Sequence, residues 1–244
     1  MSRIAAPRYN TRFLGILRVA SRIGIQRKFR GLFLAGEENI TAKDTAATND
    51  QSAYLFCPNH SNWWDGFVAA IIHHELCPDL RFALLQEEQH LASYPFFRKA
   101  GVIGLDLRSP GASVGGLRRA LAFLSTPPAG LWVFPQGMLL DAATPVTCQP
   151  GASYLARRQS VPLVPVGIRY AWMRESKPTI FVRLGVPLHA PTPEALEKAL
   201  TDLLHTIDSE VHSEALDPYR RVLRGGTSFQ NLWDFLSSHK KNRS

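Results

Sequence analysis

No apolar run in this chain is long enough to cross a bilayer: the longest, such as 130–135 and 161–168, are interrupted and far short of the roughly 20 residues a spanning helix needs. Cysteine is scarce. The three present (Cys57, Cys77, Cys148) form neither a CxxC pair nor an even set for disulfides, and no n-region, apolar h-region and cleavage site opens the chain. Together these absences predict a reducing, cytoplasmic setting with no transmembrane helix. No internal repeat or low-complexity block is visible either, and 45% apolar with 20% charged residues is ordinary for one globular domain with a sizeable core.

Acidic residues are missing from one place. Residues 1–30 hold eight basic side chains (Arg3, Arg8, Arg12, Arg18, Arg22, Arg27, Lys28, Arg30) and no Asp or Glu, while the rest of the chain balances 20 basic against 20 acidic. The whole net charge of +8 therefore sits in an N-terminal arm. On a wheel of about 100° per residue, Arg8, Arg12, Arg18, Arg22 and Gln26 share one arc, and Tyr9, Phe13, Ile16, Leu17, Ala20 and Ile23 the opposite one, with Leu14 and Val19 off pattern. An amphipathic helix of this kind fits the headgroup layer of an anionic leaflet. Two other readings stay open: the apolar stripe packs on the rest of the protein with the arginines in water, or the arm binds nucleic acid, for which no accompanying module is present.

Residues 1–34 thus read as a basic arm, and the polar, Ala/Thr-rich stretch 35–52 as a connector. From 53 to 217, short β-favouring runs (53–57, 81–85, 102–106, 131–134, 163–169, 179–185) alternate with helix-like stretches (64–75, 87–99, 112–125, 150–159). This spacing predicts an α/β domain with a central, mostly parallel sheet flanked by helices. A last helix is marked by Thr192 as N-cap, Pro193 at the first position and apolar residues at helical spacing from Ala195 to Val211. Residues 218–244, with Gly225, Gly226, Phe229, Trp233 and a basic tail, read as a C-terminal appendage.

Chemistry concentrates where the first of these runs ends. Cys57-Pro58-Asn59-His60-Ser61-Asn62-Trp63-Trp64-Asp65-Gly66 leads from a strand into a helix, which puts His60 just beyond a strand end, where open α/β sheets place their ligands. The five-residue spacing lets Asp65 turn back to one imidazole nitrogen and leaves the other to take a proton from an alcohol. Spacing this short says little alone. A second strand end, Val133-Phe134-Pro135-Gln136-Gly137, brings a polar amide to the same sheet edge. Trp63 and Trp64 either line an acyl tunnel or pack. Ser61 makes a poor nucleophile, since no strained elbow surrounds it. His73, His74 and Cys77 read as a structural helix-end cluster, and no metal site is expected.

His60-Ser61-Asn62-Trp63-Trp64-Asp65 matches the HX4D motif of a known family, and three further blocks follow in that family's order: Gly101–Arg108, Phe134-Pro135-Gln136-Gly137 (its FPEG) and Val161–Val166. Across roughly residues 50–190 the chain resembles the PlsC-like glycerolipid acyltransferases, the group containing lysophosphatidic acid (1-acylglycerol-3-phosphate) acyltransferases. The resemblance implies that 53–217 is the acyltransferase domain and that His60 deprotonates a lipid hydroxyl that attacks acyl-CoA or acyl-ACP as co-substrate, with Asp65 holding the base. It implies no permanently bound cofactor, no metal and no acyl-enzyme. It also implies substrate contacts from Arg108, Phe134, Pro135, Gln136 and Gly137. The amphipathic basic arm separately predicts a peripheral position on the cytoplasmic side of a membrane, docked through Arg8, Arg12, Phe13, Leu17, Arg18 and Arg22.

The chain departs from the pattern where an acceptor phosphate would bind. Leu107 intervenes before Arg108, Gln136 replaces a Glu, and Met138 and Leu139 stand where a Thr and a basic residue often follow. The expected acceptor is therefore a hydroxylated lipid with little or no phosphate, such as a glycolipid. A catalytically silent lipid-binding module of the same fold is the rival reading. An esterase or thioesterase is a third, and it lacks a nucleophile or a water-activating metal.

Overall fold

A computed structural model describes residues 10–40 and 52–226. Within them eight strands form one sheet: β1 (Gly31–Ala35), β2 (Ala53–Pro58), β3 (Arg81–Glu87), β4 (Val102–Leu105), β5 (Ala129–Val133), β6 (Leu163–Ala171), β7 (Thr179–Leu184) and β8 (Arg220–Arg224), in the order β4-β3-β5-β2-β6-β7-β1-β8. Pairing is parallel from β4 through β6 and between β7 and β1, and antiparallel for β6/β7 and β1/β8. The helices are α1 (Thr11–Lys28), α2 (Asp65–Leu76), α3 (Glu88–Ser93), α4 (Pro110–Leu124), α5 (Pro150–Gln159) and α6 (Pro193–His212), with a 3-10 turn at Pro95–Lys99. This is the α/β architecture expected, with a mostly parallel sheet and an N-terminal helix.

Both faces of the sheet are covered, so the central strands are apolar throughout instead of alternating with polar residues. On one face Phe56, Leu84 and Trp132 pack with Val68, Ile71 and Ile72 of α2 and Ile25 of α1. On the other, Leu55, Cys57, Leu85 and Leu131 meet Phe123 of α4, Leu155 of α5 and Leu196 and Leu200 of α6. The capped α6 forms as its sequence predicts: Thr192 Oγ1 accepts from the Ala195 N–H at 3.2 Å. It lies so close over β6 that a Cβ on Gly167 would come within 2.7 Å of Ile207.

Three segments differ from the sequence reading. Residues 31–35, read there as the junction of arm and connector, are β1, inserted between β7 and β8. The pairing partner of Gly31 is Thr179, far along the chain, which local pattern cannot reveal. Residues 220–224, inside the stretch read as an appendage, are β8, an edge strand whose arginines mask the strand pattern as edge charges commonly do. The single helix read over 87–99 is broken at Tyr94 (φ −132°, ψ 65°), because the residue before a proline is pushed out of the helical region. Arg8 of the arm, and the tail from 227, lie outside the described residues.

In α1, the described part of the arm, Ile16, Val19 and Ile23 are exposed together with Arg12, Ala20 and Arg27, whereas Phe13, Leu17, Arg18 and Arg22 are half-buried. Arg18 faces the domain, lining a small cleft with Leu14, His73, His74 and Leu80. The outward face is thus an apolar stripe ending in arginines, the reverse of a helix that hides its stripe. No described helix is long and apolar enough to cross a membrane.

Candidate active site

The C-terminal ends of β2, β3, β4 and β5 share one sheet edge, and the site is built where the neighbours β2 and β5 end. Past Pro58, the buried Asn59 ties the loop to β6: its Nδ2 donates to Ile168 O at 3.2 Å and its Oδ1 accepts from Ile168 N at 2.7 Å. His60 is held next. Its N–H donates to Gln136 Oε1 at 2.7 Å, its carbonyl accepts from Leu140 N at 3.0 Å, and its ring stacks on Phe134 with centroids 4.2 Å apart. Gly137 closes the 134–137 turn with φ +77°; a Cβ there would meet nothing nearer than 3.5 Å, so the backbone conformation explains the glycine.

Asp65, at the first position of α2, is fully buried. Its Oδ2 lies 2.9 Å from His60 Nδ1 and accepts from the backbone N–H groups of Ser61 and Asn62 at 2.8 Å each. Its Oδ1 accepts from the Tyr170 hydroxyl at 2.6 Å. A carboxylate accepts only, so His60 Nδ1 carries the proton and Nε2 is left with a lone pair. No described group bonds to that Nε2, and the His60 side chain is 22% exposed. The arrangement can therefore accept a proton at Nε2 while Asp65 orients the ring, at an open edge of the sheet.

The structure brings together His60, Asp65, Phe134, Pro135, Gln136 and Gly137. It leaves Arg108 apart. β4 ends three strands from β2, about 14 Å at ordinary strand spacing. Arg108 is exposed and folds back on Asp106, with Nε 2.9 Å from Oδ1 and Nη2 2.5 Å from Oδ2, holding the Asp106 carboxyl down at about 2. A cleft of about 470 Å³ lies beside it, lined by Glu88, Arg98, Asp106 and Arg119. Both arginines there are engaged, Arg98 by Glu88 and Arg119 by the Gly104 carbonyl at 2.8 Å.

His73 and the cysteines are held by burial. His73 is buried, accepts at Nδ1 from Trp132 Nε1 at 3.1 Å and donates from Nε2 to Leu80 O at 2.9 Å; burial pushes it down to about 4, so it stays neutral. Burial likewise raises the thiols of Cys57, Cys77 and Cys148, the last two to about 11 and about 12, which leaves no thiolate nucleophile among them. Trp64 packs edge-on against Phe29, while Trp63, 62% exposed, meets Trp64 and Phe67.

The site fits one established pattern of sequence. The model of the acyltransferase family matches residues 32–169, more than half the chain. The chain belongs to the acyltransferase family. Within this acyltransferase the matched region runs from β1 into β6 and contains His60, Asp65, Arg108 and the 134–137 turn, and it stops one residue short of Tyr170. A search of curated proteins found no match. Solved structures do match: PlsC from Thermotoga maritima, described as a 1-acyl-sn-glycerophosphate (LPA) acyltransferase, aligns with a TM-score of 0.58 at 16% identity, over 82% of this chain and 80% of that one. That likeness establishes a shared fold.

The sequence singled out the dyad and the turn but missed two members of the site. Asn59 lies just before His60 but bonds to Ile168, 109 positions away, a partner that local spacing cannot indicate. Tyr170 lies 105 positions from Asp65, and only its alternation with Ile168 and Val166 along one face of β6 hints that it points to the α2 side.

Proposed function

We propose that the enzyme moves a fatty acyl group from acyl-CoA or acyl-ACP to the hydroxyl of a membrane lipid carrying little or no phosphate, such as a glycolipid. The observation that carries this is the buried Asp65 holding His60 Nδ1 at 2.9 Å while Nε2 stays open to solvent. The acceptor hydroxyl gives its proton to Nε2 as its oxygen attacks the thioester carbonyl. The tetrahedral intermediate then collapses, and the departing thiolate takes the proton back from the imidazolium, whose charge Asp65 offsets. General-base help of this kind supplies about 10²–10⁴-fold in rate.

A low-phosphate acceptor is favoured by what the two expected phosphate contacts are doing. Arg108 is spent on Asp106, and the Gln136 oxygen is turned to the His60 N–H. The exposed stripe Ile16, Val19 and Ile23, with Arg12 and Arg27 beside it, supports docking on the anionic cytoplasmic leaflet, which would present the acceptor to the site. Purified protein offered an acyl thioester and a panel of lipid alcohols tests the assignment. Faster acylation of a neutral acceptor than of lysophosphatidic acid is expected; the reverse order refutes the low-phosphate reading.

A further inference from the structure

We propose that Tyr170 is a positioning residue for the His60–Asp65 pair, fixing the free oxygen of the buried carboxylate so that the dyad stays poised to accept a proton. The inference rests on the base role of His60 given above and extends it to a residue outside the motif and outside the matched family region.

β6 outlasts its neighbour: β2 ends at Pro58, opposite Val166, while β6 runs on to Ala171. The overhang is stiffened by β7, which pairs Tyr170 with Ile180. Along one face of it stand Ile168, whose backbone pins Asn59, and then Tyr170, whose ring meets Phe29 at the end of α1 with centroids 5.6 Å apart. This rigid extension delivers the hydroxyl to Asp65 Oδ1 at 2.6 Å.

Asp65 Oδ2 has three donors, and Tyr170 is the one described donor to Oδ1. A fully buried carboxylate is penalised for its charge unless its lone pairs are filled. Burial and the adjacent Asp65 hold the Tyr170 hydroxyl well above the usual phenol range, so it remains a donor. Around the pair, the β2–α2 loop contributes His60, β6 contributes Tyr170, α1 contributes the Phe29 ring, and the β5 turn contributes Phe134 and the Gln136 amide. Of these neighbours only His60 and Tyr170 titrate. Without the hydroxyl, Oδ1 becomes an anionic oxygen lacking a donor. Its charge is then offset more fully by the imidazolium, so the imidazole takes up a proton more readily and a smaller fraction of the dyad is competent at a given pH.

The test is a titration of His60 by nitrogen NMR in full-length protein labelled at histidine, the resonances being identified by their loss in His60→Ala. Tyr170→Phe should raise the His60 midpoint by about one pH unit, the size expected for losing a hydrogen bond to a charged group. Phe29→Leu, which disturbs the same ring contact and spares the hydroxyl, should leave the midpoint where it is. Replacing Tyr170 by 3-fluorotyrosine keeps the shape and strengthens the donor, so it should lower the midpoint, and it serves if Tyr170→Phe does not fold. Midpoints within about 0.2 units of wild type in the Tyr170 variants, or an equal shift in Phe29→Leu, overturn the proposal. No acyl donor or acceptor enters this measurement, so its outcome is separate from whether acyl transfer runs through His60.

Discussion

Replacing Asp65 by Asn isolates what its charge does. Four donors converge on this side chain, three at Oδ2 and one at Oδ1. An asparagine satisfies the set in one orientation: its oxygen takes the Oδ2 position, and its NH₂ turns to Tyr170, whose hydroxyl oxygen can accept. The fold and the His60 tautomer therefore survive, and only the stabilisation of the imidazolium is removed. We expect kcat/KM for acyl transfer to fall about 10²- to 10³-fold, within the range for losing support of a general base. Thermal stability should change little. Asp65→Ala is the contrasting perturbation, leaving two backbone N–H groups and the Tyr170 hydroxyl without their acceptor at about 1–3 kcal/mol each. Thiol release from acyl-CoA with a lipid alcohol, followed alongside thermal unfolding, reads both effects. If Asp65→Asn keeps more than about a third of wild-type activity, or if Asp65→Ala unfolds at the wild-type temperature, the reasoning is wrong.

Three other perturbations reach different parts of the account. His73 sits at about 4 when folded against an ordinary 6.5, so below pH 6.5 the unfolded chain binds the proton first; urea midpoints should show about 3 kcal/mol of stability lost between pH 6.5 and 4, a slope that His73→Leu flattens. Gln136→Ala strands the His60 N–H and should slow transfer about tenfold, whereas Gln136→Glu, still an acceptor, should stay within about threefold of wild type; equal losses in both would remove the positioning role. The triple substitution Ile16→Ser, Val19→Ser, Ile23→Ser should weaken flotation with anionic vesicles at least about tenfold while leaving the fold intact, and unchanged flotation would remove the stripe from the docking surface.

The parts of the fold that sequence revealed are those with local causes. The capped α6 and the six strands between 53 and 185 each carry their pattern within a dozen residues. β1 and β8 do not, since each becomes a strand only through partners remote in sequence, and the arginines of β8 obscure its alternation further. The same division runs through the site. His60 and Asp65 are close in sequence and their bond was legible from spacing, whereas the Gln136 oxygen and the Tyr170 hydroxyl reach them from β5 and β6 through sheet order alone. Arg108 shows the limit of motif reading: its place in the second block implied an anion contact, yet Asp106 two residues away captures the guanidinium.

The central claim is that His60 Nε2 takes the acceptor's proton. Single-turnover release of thiol from acyl-CoA, measured with and without a lipid alcohol in wild type and His60→Ala, addresses it directly. Wild type should show acceptor-dependent release, and His60→Ala should lose that component by about 10²–10⁴-fold while its unfolding transition is retained. Acceptor-dependent release that persists at the wild-type rate in His60→Ala would contradict the claim.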